Sequence, residues 1–599
     1  MSSKPGRTLK GAWPALVLGW RAAPGWLIGH VVTTVLIALV PVATVWLLKV
    51  VLDTLGAGFP MAAVGLAVAG LLAAALPPVS LYLRAEIGRV VGRYAQSDLY
   101  LATARLQGLA RLEEPEFRDR LRLAQQAGRS SPGQVVDGVI GTAQVLITTG
   151  GLVLVLAAVS PVLAGVTLLG LAPAMVAEIR LTRERARMLW RISPRERREY
   201  FYSELQTSLP AAKELRLLGL SELFRHRMLG ELAEADAERR RMDGRQMRTQ
   251  LGLGLLSAVV LGGGLVWAIS GAVAGRLGVG DVSAFIAAMT GLQAGLATLV
   301  SRISLVYQAL LMYDHYRAVL DASPDLPVPA KPSPVRSLRQ GIELRDVWFR
   351  YGPDQPWVLK GVDLVIPHGR TVALVGMNGA GKSTLVKLLC RFYDPERGSV
   401  RWDGIDLREL DVASLRTRIG ALFQDYMSYE LSAAENIGLG DVAALDDDER
   451  IRAAADRAGI GPVVEALPRG YQTLLSRTFS DEDSPGVLLS GGQWQRLALA
   501  RTFLRDRRDL LILDEPSSGL DAEAEYEIHH GLRCHRAGAT SVLISHRLGA
   551  VREADEIVVL SGGGIIERGA HRDLLAGDGE YARLFRLQAD GYRDEVVSS

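Results

Sequence analysis

Two cysteines, Cys390 and Cys534, are all that 599 residues contain. They stand far apart, without the spacing of a metal site, and a lone pair is no disulfide framework. Both read as buried free thiols. Lysine is nearly as scarce, with 8 residues against 60 arginines, a bias we attribute to the genome. Neither sign of charge dominates. A net charge of +3 singles out no anionic partner, and no nucleic acid is expected. Acidic residues are missing from one kind of segment in particular. Six apolar stretches lie near 25–48, 61–83, 138–159, 162–179, 251–275 and 282–302, and they hold no Asp or Glu except Glu178 at the edge of the fourth. Without carboxylates inside such stretches, a dedicated cation or proton path is not expected.

What is present is a mixed chain, 49% apolar and 22% charged, too long for one core. Lys4, Arg7 and Lys10 precede apolar residues and mimic a signal peptide. The run Trp26–Leu48 is too long for a signal core and long enough to cross a bilayer, so it reads as a retained span. Too little chain precedes it for a fused leader-cleaving domain. The connections 49–60, 160–161 and 276–281 are short, whereas 84–137 and 180–250 are long and rich in Arg. The positive-inside rule places these two, and the N-terminus, in the cytoplasm. A multi-pass protein of the plasma (inner) membrane is expected. Residues 9–20, with Trp13 and Trp20, suit an interfacial helix. Helical periodicity in the long loops, as at Leu101, Ala104, Leu106 and Leu109, extends the spans into the cytoplasm, with compact turns near 110–120 and 213–224.

Residues 322–340 are Pro-rich and read as a linker. This divides the chain into 1–321, an all-α six-helix transmembrane domain, and 341–599. In the latter, strand-like runs at 342–351, 371–376, 510–514 and 541–545 alternate with helical patterns, as in an α/β domain with a mostly parallel sheet. A hairpin is expected at 556–567. The acidic run Asp446–Glu449 is a helix start, where carboxylates meet free N–H groups.

The chemistry sits at the strand ends. "GMNGAGKST" runs from Gly376 through Asn378, Gly379, Ala380 and Gly381 to Lys382, Ser383 and Thr384. This is the G-x-x-x-x-G-K-[ST] phosphate loop. Its backbone N–H groups wrap phosphates, Lys382 adds charge, and Ser383 can ligate Mg²⁺. "LLILDEP" ends a second strand with Asp514, suited to help hold Mg²⁺, and Glu515, placed to orient or deprotonate a water. "SVLISHR" ends a third strand with His546. Three strand ends converging is where doubly wound sheets bind ligands.

In order, Tyr351, the phosphate loop, Gln424, "LSGGQ" at Leu489–Gln493, Asp514–Glu515, Ser518–Asp521 and His546 resemble the ATP-binding cassette (ABC) transporter family. The six stretches with two long loops resemble its exporter half-transporters. The resemblance implies an α/β P-loop NTPase domain with a helical subdomain, and ATP and Mg²⁺ as cofactors. It implies that Tyr351 stacks on adenine and that Gln424 senses Mg²⁺ and the membrane domain. Glu515 would be the catalytic base and His546 would contact the γ-phosphate. Ser490, Gly491, Gly492, Gln493 and Asp521 would serve nucleotide, the signature loop acting on the ATP of a partner chain. Regions 110–120 and 213–224 would be coupling helices resting on the ATPase domains. A second half-transporter chain is therefore implied, a homodimer first and a heterodimer as the alternative. The run "TFSDEDSPG" at 478–486 departs from the family's usual T-x-x-G-E-x-G-like stretch.

ATP-driven export of an amphipathic or apolar cargo is the expectation. Trp494 after the signature and "KELRLLGL" resemble bacterial exporters of lantibiotic-type peptides, so a peptide cargo comes first. Lipid or drug export is the rival, and a non-transporting ATPase stands further off. Membrane lipid is the expected surround.

Overall fold

A computed structural model describes residues 5–54, 60–479, 486–505, 508–517 and 539–597. The chain divides into two compact units: residues 1–103 with 119–322, and residues 104–118 with 323–599.

Among the described residues nine helices precede the first strand: α1 Pro5–Ala22, α2 Pro24–Asp53, α3 Pro60–Ala104, α4 Ala110–Glu113, α5 Pro115–Val159, α6 Pro161–Thr207, α7 Leu209–Leu217, α8 Ser221–Val273 and α9 Val279–Leu320. Proline opens α2 at its first turn, where its missing N–H costs nothing. Among the described residues, α2, α3, α5, α8 and α9 are long and apolar enough to cross a membrane. The sixth expected stretch, 162–179, lies on α6, and many of its side chains fall outside those described. The long Arg-rich loops are helical, as their periodicity predicts. Most of 180–250 is an α6/α8 pair laced by ion pairs, including Arg198–Glu231 at 2.8 Å, Arg195–Glu234 at 2.9 Å and Arg239–Glu196 at 2.6 Å.

One contact of this unit was not anticipated. Asp137 stood at the end of a loop, just outside an apolar stretch. Helix α5 runs unbroken through it, so helical phase rather than local hydropathy sets its direction. Its side chain is only 27% exposed and pairs with Arg84 of α3 and Arg302 of α9. Helix α5 thus brings a carboxylate into an ion cluster at the edge of the apolar stretches.

The second unit holds two sheets. The strands are β1 Gly341–Phe349, β2 Leu359–Pro367, β3 Thr371–Val375, β4 Arg397–Trp402, β5 Ile405–Asp406, β6 Ile419–Leu422, β7 Leu510–Asp514, β8 Thr540–Ile544, β9 Glu556–Ser561 and β10 Gly564–Gly569. A six-stranded sheet has the order β10-β9-β3-β8-β7-β6. All its neighbours are parallel except the β9/β10 hairpin. Every residue of β3, β7 and β8 is buried, as strands covered on both faces require. The second sheet, β2-β1-β4-β5, is wholly antiparallel. The expected strand 342–351 belongs here and not to the parallel sheet. Its alternation of buried and exposed residues is the mark of a sheet with one wet face. Short helices from Ala433 onward pack into a separate apolar cluster with the parallel sheet, the helical subdomain. Asp447 caps the helix Asp448–Arg457. The Pro-rich run is no free tether: Ser333 bridges to Leu410 and Trp402 Nε1 donates to Arg336 O at 3.1 Å.

A candidate nucleotide site at the strand ends

The parallel strands all end on one edge of the sheet. β3 runs into the phosphate loop, β6 leads to Gln424, β7 ends at Asp514, and β8 is followed by His546. Asp514 pairs in register with Ile544, which brings the second and third expected motifs side by side. A cavity of about 690 Å³ lies on this edge. Its lining includes Tyr351, Asn378, Gly379, Ala380, Gly381, Lys382, Ser383 and Thr384, together with Gln424, Asp514, Glu515 and His546. Gly376 stands at the loop's start.

The loop's glycines are dictated by shape. Gly376 has φ +153° and a Cβ there would collide with Leu560 O; Gly381 has φ +103° and a Cβ would sit 2.6 Å from Leu359 Cδ2. Neither conformation suits an L side chain. Gly381 caps the helix Lys382–Leu389, here α10, so free N–H groups of a helix start face the cavity, the arrangement that receives phosphate. Lys382 is 7% exposed and donates to Gly376 O at 2.7 Å and Met377 O at 3.1 Å. Burial lowers its pKa, opposed by Glu515 and Asp514.

Asp514 is 5% exposed. Burial first, then the Glu515 charge, pushes its pKa up to about 6, while Lys382 and a hydrogen bond from Ser383 pull the other way. A buried carboxylate beside a hydroxyl is a hard-oxygen donor set, which fits Mg²⁺. Among the described residues no group of three or more His, Cys, Asp or Glu could hold a metal by itself. Such a site would be completed by phosphate oxygens, the usual manner for Mg²⁺.

Glu515 is held from several sides. Its Oε1 lies 2.8 Å from His546 Nε2 and its Oε2 accepts from Gln424 Nε2 at 3.1 Å. Its carbonyl accepts from Gln495 Nε2 at 3.0 Å, and its N–H donates to Ile544 O at 2.9 Å. Its φ of +53° is left-handed, a conformation a non-glycine residue keeps only when its surroundings enforce it. Gln495 was not singled out from sequence. Its one signal is a position two residues beyond Gln493.

Tyr351 flanks the loop, its OH 3.0 Å from Thr384 Oγ1 and its ring edge-on to Phe349 and Tyr393. Lys387 lies 5.0 Å from the Tyr351 ring centroid and pairs with Glu113 of α4 at 2.8 Å. Tyr393 OH also donates to Glu113, at 2.6 Å. The turn region near 110–120 is thus a short helix tied to the residues behind Tyr351.

The signature residues lie elsewhere. Ser490 caps the helix Gly491–Phe503, here α11: its Oγ accepts from Gln493 N and Gln493 Oε1 accepts from Ser490 N at 2.9 Å. Gln493 is thereby engaged in a reciprocal cap. Ser490 and Gly491 are exposed, and none of Ser490, Gly491, Gly492 and Gln493 lines the cavity. Asp521, within the expected Ser518–Asp521 turn, lies outside the described residues, as do Cys534 and most of the 478–486 run.

Residues 359–518 match the family model described as ABC transporter. An ATP-dependent lipid A-core flippase of Alkalilimnicola ehrlichii is 39% identical over 312 residues, 52% of this chain and 51% of the relative. A mitochondrial potassium channel ATP-binding subunit of Xenopus tropicalis is 40% identical over 317 residues, 52% of this chain and 44% of the relative. The chain thus spans about half the length of the curated relatives it matches. A bacterial Atm1-family ABC exporter solved with ATP bound shares the fold, with a TM-score of 0.78 and 24% identity over 94% of this chain and 98% of that one. With the phosphate loop, the acidic strand end and the helical domain in place, the chain carries an ABC transporter ATPase domain and shares the fold of an ABC exporter.

Proposed function

We propose that the protein is an ATP-driven exporter that works as a dimer and moves an amphipathic cargo of the lipid class out of the cytoplasm. Lys382 and the N–H groups of Gly379–Ser383 would hold the phosphates, and Ser383, Asp514 and Gln424 would hold Mg²⁺. When bound, Mg²⁺ would supply charge to the phosphate oxygens. Glu515, held by Gln424 and His546, is placed to take the proton of an attacking water. Tyr351 would lie against the adenine. The cassette would face the cytoplasm of the plasma (inner) membrane, with the N-terminus on the same side.

The observation that carries the dimer is the separation within the cassette. The signature presents an exposed helix start, away from the cavity that gathers every other described motif. Exposed N–H donors of this kind suit an anion brought by a second chain. Closure of two chains would complete both sites and exclude water. The lipid reading takes precedence over a peptide because the relatives named lipid A-core flippase are 39% identical.

The test is a mixed dimer. Lys382→Ala on one chain and Gly491→Asp on the other, carried on separate tags, place both defects in one site if the signature acts in trans. The other site is then intact and should trap one nucleotide per dimer with vanadate. Trapping no greater than in the two mutant homodimers would overturn the dimeric site. Proteoliposomes would separate the cargo classes: ATP-dependent translocation of a labelled lipid supports the lipid reading, and its absence alongside peptide uptake refutes it.

A further inference from the structure

His546 has little packing to aim it. Its side chain is 45% exposed, yet its Nε2 meets Glu515 Oε1 at 2.8 Å. The direction of the imidazole must therefore come from the backbone. The peptide that follows His546 is pinned at both of its polar groups. The N–H of Arg547 donates to Ser545 Oγ at 3.0 Å, closing a tight turn after β8. The carbonyl of His546 accepts from Gln588 Nε2 at 2.9 Å. A peptide is planar, so holding its N–H and its C=O sets the rotation between His546 Cα and that carbonyl. This rotation fixes where the Cα–Cβ bond points relative to the turn.

Ser545 is local, but Gln588 arrives from the helix Glu580–Val597, here α12. The start of α12 is fixed independently. Glu567 of β10 accepts from Glu580 N and Tyr581 N, a carboxylate at a helix start. Tyr581 and Ala582 are 0% exposed. Tyr581 OH lies 2.8 Å from His571 Nδ1, and Phe585 packs against both rings. Tyr581, Phe585 and Gln588 follow at i, i+4 and i+7, which is one face of a helix. An apolar residue would suit position 588, and Leu587, one position back, is 59% exposed. The helix thus turns an amide inward and a leucine outward. Burial of apolar surface favours the opposite, so the amide is there for its donor.

We infer that Gln588 is a positioning residue for ATP hydrolysis: from α12 it fixes the peptide after His546 and so aims the imidazole at Glu515. The inference rests on the reading of Glu515 as a base held by His546. Gln588 does not line the nucleotide cavity, so its effect passes through His546 and falls on the chemical step. Without the donor the peptide can turn, and Glu515 loses the partner on its Oε1 while Gln424 still holds Oε2.

The test measures kcat and KM for ATP on the full chain in detergent. Gln588→Met keeps the length and suits the apolar face. Gln588→Glu keeps the shape and, ionised, has no donor. Both should lower kcat about three- to tenfold, the worth of one neutral hydrogen bond, with KM unchanged. Wild-type kcat in Gln588→Met, or a rise in KM alone, would overturn the inference. A double-mutant cycle separates positioning from mere stability. His546→Ala should itself lower kcat, and adding Gln588→Met to it should cost nothing more, because there is no imidazole left to aim. A further loss of the same size would mean that Gln588 acts on the fold and not through His546, which also ends the inference. The reading beneath it fails differently: His546→Ala with wild-type kcat would remove the histidine's role, and the inference with it. A slow His546→Ala beside a fully active Gln588→Met would leave that reading standing and refute the positioning role alone.

Discussion

Replacing Asp514 by Asn separates the stability of the cassette from its chemistry. The amide is nearly isosteric, so the change is one of charge. Burial and Glu515 raise the Asp514 carboxyl from its ordinary value of 3.8 to about 6. In the unfolded chain it would return towards about 3.9. Above pH 6 the folded state must carry a charge that it disfavours, at a cost of roughly 3 kcal/mol at about 1.4 kcal/mol per unit. Below pH 6 the folded protein takes up the proton and the penalty fades, vanishing near pH 4. The sign is therefore the reverse of a salt-bridged carboxylate: this group destabilises the fold at neutral pH. Asp514→Asn should raise nucleotide-free stability at pH 7.5 by about 2–3 kcal/mol, or several degrees in melting temperature for a domain of this size. At pH 5 the difference should shrink markedly, because the wild-type carboxyl is then itself protonated. Adding Mg²⁺ and ATP should reverse the order, stabilising the wild type by linkage and the variant far less. Thermal melts of the purified full chain at both pH values, with and without Mg²⁺-ATP, would show this. A variant less stable than wild type at pH 7.5 without nucleotide, or an advantage undiminished at pH 5, would refute the reasoning.

Binding of Mg²⁺-ATP to the wild type should weaken as the pH drops through about 6, where Asp514 of the nucleotide-free protein holds a proton that the metal must displace; an affinity flat down to pH 5 would count against its place at the metal. Glu515→Gln should keep nucleotide binding and lose turnover by 10²–10⁴-fold, the usual contribution of a general base; more than about a tenth of wild-type activity remaining would contradict that role. In a chain with Cys390 and Cys534 changed to Ser, Arg276→Cys should react with an impermeant thiol reagent in intact cells and Glu214→Cys should not. The reverse pattern would invert the orientation taken from the Arg-rich loops.

The phosphate loop, Asp514–Glu515 and His546 were legible because their spacing and residue types answer to chemistry. A loop that wraps phosphate needs glycine at particular positions wherever it occurs, and paired acids at a buried strand end beside it suit a metal and a water. The apolar stretches were equally legible, since a bilayer imposes a length on any helix that crosses it. The antiparallel sheet was not. β5 is only two residues long, and β1 and β4 meet from well apart along the chain, as in the pairing of Ile342 with Trp402. Periodicity reports a strand's faces and not its neighbours.

The rest depended on where helices and strands put side chains in space. Glu515 owes its orientation to Gln424, Gln495 and His546, which arrive from three separate segments. Ser490–Gln493 look in sequence like a second phosphate loop, and only the fold shows them turned away from the first. Asp137 looks like a loop residue in a polar neighbourhood. Its distances to His30, Arg84 and Arg302 follow from four helices lying side by side, with residues up to 165 positions apart. Local sequence therefore determined which groups can bind phosphate or cross a bilayer, because those are properties of short segments. Tertiary structure alone decided which charges meet, because Coulomb and hydrogen-bond energies depend on separation in space and not along the chain.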